Sequence, residues 1–78
     1  MNFPAKVVKM YQEYEAARKL AYVNHAIDPY GAETREAFRL TTRRYAIFSR
    51  TCYKEGFLHC YEVARQLTAM QPEVALAA

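Results

Sequence analysis

Two cysteines and two histidines are the residues of this 78-residue chain whose types suit metal binding or nucleophilic catalysis. Cys52, His59 and Cys60 lie close together in the sequence, and His25 lies far upstream. Zinc sites that use cysteine are usually anchored by a C-x2-C pair, which this chain lacks. We therefore predict no metal site and interpret both cysteines as small core residues. A Cys52–Cys60 disulfide would need a break in the helix between them. Eight residues of continuous helix separate the Cα atoms by about 12 Å, whereas a disulfide needs them within about 7 Å.

The same residues do not predict catalysis. A Cys–His nucleophile needs an orienting third group and an oxyanion pocket, which two or three short helices rarely enclose. With two glycines the chain has no Gly-rich phosphate loop, and no paired buried carboxylates are apparent. We predict a protein that is not an enzyme and uses no cofactor.

Positive charge is concentrated in the middle of the chain. Residues 32–54 carry six cations and two anions, a net charge of +4, against +3 for the whole chain. At about 100° per residue, five of these cations project within about 100° of one another on a helix. This face, called the basic ridge below, consists of Arg35, Arg39, Arg43, Arg50 and Lys54.

The basic ridge is not explained by helix stability. Arg35/Arg39 and Arg39/Arg43 are like-charged i,i+4 pairs, each of which costs about 0.2–0.5 kcal/mol. Arginine is suited to bidentate binding of carboxylate or phosphate. The ridge, with Tyr53 beside it, therefore predicts a partner-binding surface.

A second candidate surface lies on the first helix. It consists of Tyr11, Arg18 and Tyr22, which lie on a face beside the main apolar stripe. Tyrosine and arginine are enriched at binding hot spots because they combine a large contact area with hydrogen bonding.

These patterns favour a non-enzymatic interaction protein that regulates or inhibits a macromolecule by docking on it, with an acidic protein surface as the favoured partner. The alternative is a nucleic-acid-binding protein that contacts phosphates through the same helix. No short recognition helix follows a tight glycine turn, so a helix-turn-helix is not indicated. The absence of an apolar leader, of about 18 uncharged apolar residues in a row, and of a disulfide framework predicts a cytoplasmic protein without membrane association.

The elements that position these residues are predicted to be α-helices, because strand patterns are nearly absent. Asn2 is expected to cap a first helix whose opening turn contains Pro4. Residues 28–31, Asp-Pro-Tyr-Gly, fit a type I turn. The apolar stripe of the first helix is Phe3, Val7, Met10, Tyr14, Ala17 and Ala21, and that of the second is Thr34, Phe38, Thr41, Tyr45, Phe48 and Cys52.

Gly56 leaves two architectures open. A stripe from Phe57 to Leu67 is rotated from the preceding one and favours a third helix, whereas a seam through Cys52, Gly56 and Cys60 favours a hairpin with one long second helix. We predict a small all-α bundle of three helices, with one domain over residues 2–71 and a flexible tail over 72–78. The thin core, and the position of Leu20, Val23 and Ile27 away from the main stripe, predict self-association as a homodimer.

The last four residues, Ala-Leu-Ala-Ala, resemble the end of the degradation tag that bacterial ribosome rescue adds to stalled proteins. In that tag the terminal Leu-Ala-Ala and the free carboxylate are recognised by an unfolding protease. The resemblance covers four of 78 positions. It implies a bacterial or phage protein with a short lifetime, and a degradation signal at Leu76, Ala77 and Ala78.

Overall fold

The computed structural model describes residues 3–70, which form three α-helices and, within that range, no β-strand. The helices are α1 (Ala5–Ile27), α2 (Ala32–Lys54) and α3 (Cys60–Met70). The prediction of a small three-helix all-α bundle is confirmed, and the alternative with one long second helix is wrong. The outer limits of the predicted domain and the whole predicted tail lie outside the described residues.

Gly56 explains why α2 stops. Its φ is +93°, in the left-handed region that residues with a side chain rarely adopt. The N–H of Gly56 donates to the carbonyl oxygen of Tyr53 (3.1 Å), and the N–H of Phe57 donates to that of Cys52 (2.9 Å). These two bonds form a Schellman motif, which satisfies the last carbonyl groups of the helix.

The turn between α1 and α2 has the predicted form. The N–H of Gly31 donates to the carbonyl oxygen of Asp28 (3.2 Å), and the hydroxyl of Thr34 donates to the same oxygen (2.6 Å). At the other end of α1, Pro4 occupies the cap position, one residue before the helix, instead of lying within its opening turn. Asn2, the predicted cap, lies outside the described residues.

The core lies in the half of the α1–α2 hairpin that is far from this turn. There α3 covers one face of the hairpin, and its Val63 and Leu67 are 4% and 1% exposed. The rings of Tyr11 and Phe48 pack with centroids 5.6 Å apart. The buried cluster consists of Val7, Tyr11, Phe48, Cys52, Val63 and Leu67.

The half of the hairpin next to residues 28–31, called the turn-side half below, has no third layer among the described residues. Small buried side chains such as Ala21 and Ala37 line the contact between α1 and α2 there. Leu20, Val23 and Ile27 remain 53%, 53% and 78% exposed. These three residues, placed away from the main stripe by the sequence pattern, are therefore not covered by other parts of residues 3–70.

Candidate partner-binding surface

All five residues of the basic ridge are exposed on α2, as is Tyr53. The buried residues of the same helix include Phe48 and Cys52. Arg50 is two positions from each of them, so its side chain points to the opposite side of the helix cylinder. The structure thus places the predicted residues together on the side of α2 that faces away from the core.

The first two arginines of the ridge have local partners. Arg35 donates from Nη1 to the carbonyl oxygen of Tyr30 (2.9 Å), and so ties the start of α2 to the turn. Arg39 forms an ion pair with Glu36, one turn earlier on the same exposed face. These contacts account for Arg35 and Arg39 without a partner molecule.

The rest of the ridge is different. Within residues 3–70, Arg43, Arg50 and Lys54 form no ion pair and no side-chain hydrogen bond. Lys54 lies in the last turn of α2, where a cation interacts favourably with the helix dipole. Arg43 and Arg50 lie further from that end, so the dipole does not explain them. They are the strongest candidates for binding an external anion.

Arg43 also borders an open groove of about 370 Å³ between α1 and α2. Its apolar part includes Leu20 and Leu40, and Glu33 and Glu36 lie on the same rim as Arg43. This hairpin groove is lined by Leu20, Asn24, Glu33, Glu36, Ala37, Leu40 and Arg43. Arginine, carboxylate and leucine side chains thus line one groove on the surface.

The second candidate surface is only partly formed. Tyr11 is 3% exposed, and its hydroxyl is hydrogen-bonded to that of Thr68 on α3, so the prediction that it shares a surface with Arg18 and Tyr22 is wrong. Burial raises the pKa of Tyr11. The sequence pattern misplaced this residue because α3 docks on the side of α1 that carries it.

Arg18 and Tyr22 do lie together. The Arg18 guanidinium is 5.7 Å from the centre of the Tyr22 ring, and Tyr22 makes an edge contact with Phe38 at 6.0 Å. Arg18 also binds Glu15 through two bonds, Nε to Oε1 (2.9 Å) and Nη2 to Oε2 (3.0 Å). These hydrogen bonds raise the pKa of Arg18. Since the Glu15 side chain is only 9% exposed, Arg18 also has a role inside the fold.

The two cysteines are free thiols at the junction of α2 and α3. Cys52 is fully buried, and burial raises its pKa to about 11. Cys60 is half-buried and lies 3.6 Å from the hydroxyl of Tyr45. The hydrogen bond between the Tyr45 hydroxyl and Cys60 is the main reason why the pKa of Tyr45 is raised to about 12. Among residues 3–70, no three His, Cys, Asp or Glu side chains are grouped closely enough to hold a metal ion.

Comparison of the chain with protein-family models, with curated proteins and with solved structures finds no match. Every helix within residues 3–70 is too short or too polar to span a lipid bilayer. The predicted degradation signal at Leu76, Ala77 and Ala78 lies outside the described residues and stays a prediction.

Two features of the surface were not found from the sequence. The first is the hairpin groove, whose two sides come from residues 9 to 23 positions apart in the chain. The second is the interhelical ion pair between Arg44 and Glu13 (3.0 Å), which joins α1 and α2. A partial signal for the groove exists in the 4-3-4 spacing of Ala16, Leu20, Val23 and Ile27, which lie on one exposed face of α1.

Proposed function

We propose that this chain is a non-enzymatic helical interaction protein that regulates or inhibits a macromolecular partner by docking on it through the basic ridge. One observation carries the proposal. Arg43 and Arg50 are exposed on one face of a rigid helix, and neither has an ion-pair partner among residues 3–70. Guanidinium groups held in this way are available for bidentate pairing with carboxylates.

An acidic protein surface is a better fit than nucleic acid. Glu33 and Glu36 line the groove together with Arg43, and this mixture of charges fits a protein surface, which carries both signs, better than a uniformly anionic phosphate backbone. Tyr53, 69% exposed, flanks the cations with the aromatic area typical of protein interfaces. A contact between these arginines and a phosphate group would make no use of that aromatic area.

Further parts of the proposal rest on the thiols and on the exposed apolar residues. A pKa near 11 leaves almost no Cys52 thiolate at neutral pH, which supports a role without nucleophilic catalysis. Two free thiols fit a cytoplasmic location, which we retain as part of the proposal. The exposed apolar residues of the turn-side half support self-association as a homodimer.

The test reverses the two unpaired arginines. The Arg43→Glu/Arg50→Glu variant and the wild type are used to capture partners from the source organism, with and without nuclease treatment. The matched control is Lys9→Glu/Arg65→Glu, which changes the net charge equally at exposed positions of α1 and α3. We expect the ridge variant to lose the captured protein and the control to retain it, with unchanged helicity in both.

The nuclease arm and the salt dependence identify the class of partner. A protein partner is retained after nuclease treatment and is lost only from the ridge variant. For a nucleic-acid partner the captured material disappears with nuclease, and log affinity falls with log salt by roughly 0.7–0.9 per phosphate contacted. If the ridge variant captures the same protein as the wild type, docking through the ridge is wrong.

A further inference from the structure

The turn-side half of the hairpin carries an exposed apolar face on the side opposite α3. Leu20 lies nine residues after the buried Tyr11 and therefore half a turn around α1 from it. Leu40 lies across the groove on α2. Ala16, Val23 and Ile27 are exposed as well and extend the apolar strip along α1. Contiguous apolar surface rimmed by polar residues is typical of a protein contact.

The charges around this face have a definite order along α2. Glu33 lies at one end of the hairpin groove and Arg43 at the other, with Ala37 and Leu40 between them. Ten residues of helix separate the two charges by about 15 Å along the axis. The Glu13–Arg44 ion pair shows how the two helices are aligned, with Leu20 beside the middle of this segment.

We infer that this face binds a second copy of the same chain, about a two-fold axis that crosses α1 near Leu20 and α2 near residues 37–40. In a two-fold dimer, if residue i of one copy contacts residue j of the other, then residue j of the first copy also contacts residue i of the second. The surface must therefore be complementary to itself. An axis near residue 38 places Glu33 opposite Arg43 of the second copy, and Arg43 opposite its Glu33. The acidic end of each groove then meets the basic end of the other.

The apolar residues satisfy the same symmetry. Leu20 lies next to the axis and meets Leu20 of the second copy, while the small side chain of Ala16 lies opposite Asn24. The two hairpins then form a four-helix bundle with each α3 on the outside. The exposed aliphatic residues of the turn-side half thereby gain a covering layer that residues 3–70 of one chain do not provide.

This inference deepens the self-association proposed above and does not depend on docking through the ridge. The first measurement is sedimentation equilibrium of the purified chain at up to about 100 µM, a range in which weak dimers are populated. We expect the wild type to reach twice the 9.1 kDa mass of the chain. Leu20→Glu should weaken the dimer about a hundredfold, because it removes apolar contact at the axis and adds facing charges.

The control is Leu58→Glu, which makes the same change at a residue that is 71% exposed in the segment between α2 and α3. It should leave dimerisation unchanged. Leu20 is itself half exposed, so the helical circular dichroism of its variant should match that of the wild type. A monomeric wild type, or equal weakening by both substitutions, overturns the proposal, and another protein must then cover the face.

Charge exchange tests the axis itself. Glu33→Arg and Arg43→Glu each place two like-charged contacts in the dimer and should weaken it about tenfold. An equimolar mixture of the two variants restores both opposite-charge contacts, so a heterodimer should form with wild-type affinity. If the mixture associates no better than either variant alone, the two-fold arrangement is wrong. No partner protein is present in these experiments, so their outcome is separate from that of the docking test.

Discussion

Replacement of Arg18 by methionine tests whether this residue belongs to the fold or is free for binding. Arg18 holds the nearly buried Glu15 carboxylate through two hydrogen bonds of 2.9 and 3.0 Å. Loss of one partner of a fully buried ion pair costs about 3–5 kcal/mol. Here the Arg18 side chain is 36% exposed, so water reaches the vacated position and partly solvates the carboxylate. We therefore expect a loss of about 1–3 kcal/mol, a large part of the roughly 4–12 kcal/mol available to a chain of this size.

The assay is urea unfolding followed by circular dichroism, with the double variant Arg18→Met/Glu15→Leu measured in parallel. Replacement of both charges by apolar side chains removes the unpaired carboxylate, so the double variant should recover most of the lost stability. The control is Arg65→Met. It breaks an Arg–Glu pair of the same i,i+3 spacing whose side chains are 76% and 39% exposed. Its cost should stay below about 0.5 kcal/mol.

The result that refutes this reasoning is an equal, small cost for Arg18→Met and Arg65→Met, with no coupling between Arg18 and Glu15 in the cycle. Arg18 would then be available for binding beside Tyr22, as the sequence pattern predicts. A large cost that the double variant recovers identifies Arg18 as a residue that holds a buried carboxylate within the fold.

Two further predictions concern the end of α2 and the end of the chain. Gly56→Ala should destabilise the protein by about 1–2 kcal/mol in urea unfolding because alanine does not favour a positive φ. Gly56→Asn should cost less because asparagine tolerates this conformation better, and equal costs would contradict the backbone explanation. Replacement of Ala77 and Ala78 by aspartate should lengthen the half-life of the protein in bacterial cells several-fold. An unchanged half-life would refute the predicted degradation signal.

The helices and their buried faces were predictable because the information is local. Val7, Ala17, Ala21, Phe48 and Cys52 lie on the predicted stripes and are buried. Apolar spacing could not distinguish the two architectures at Gly56, a third helix or one long second helix, because both stripes contain residues that are buried in the structure. The choice depends on a left-handed glycine and two backbone hydrogen bonds, which periodicity does not encode.

The error at Tyr11 in the candidate site has a non-local cause. Tyr11 lies beside the main stripe of α1, and only the position of α3 turns that neighbouring face into core. Glu15 lies one turn further along the same face, and its burial depends on the guanidinium that Arg18 supplies. Charged residues are rarely buried unless they are paired, so the residue type alone argued against this placement.

Arg43 belongs both to the basic ridge and to the hairpin groove, so the two proposals are coupled. A carboxylate of the docking partner and Glu33 of the second copy would compete for the guanidinium of Arg43. Docking therefore removes a dimer contact, and dimerisation removes a docking contact. Because coupling between two binding equilibria is reciprocal, each weakens the other by the same factor. Arg50 lies about 10 Å further along α2, and it is not among the residues that line the groove. Arg50→Glu should therefore weaken docking alone and Leu20→Glu dimerisation alone, and on these proposals the monomer is the form that docks most tightly.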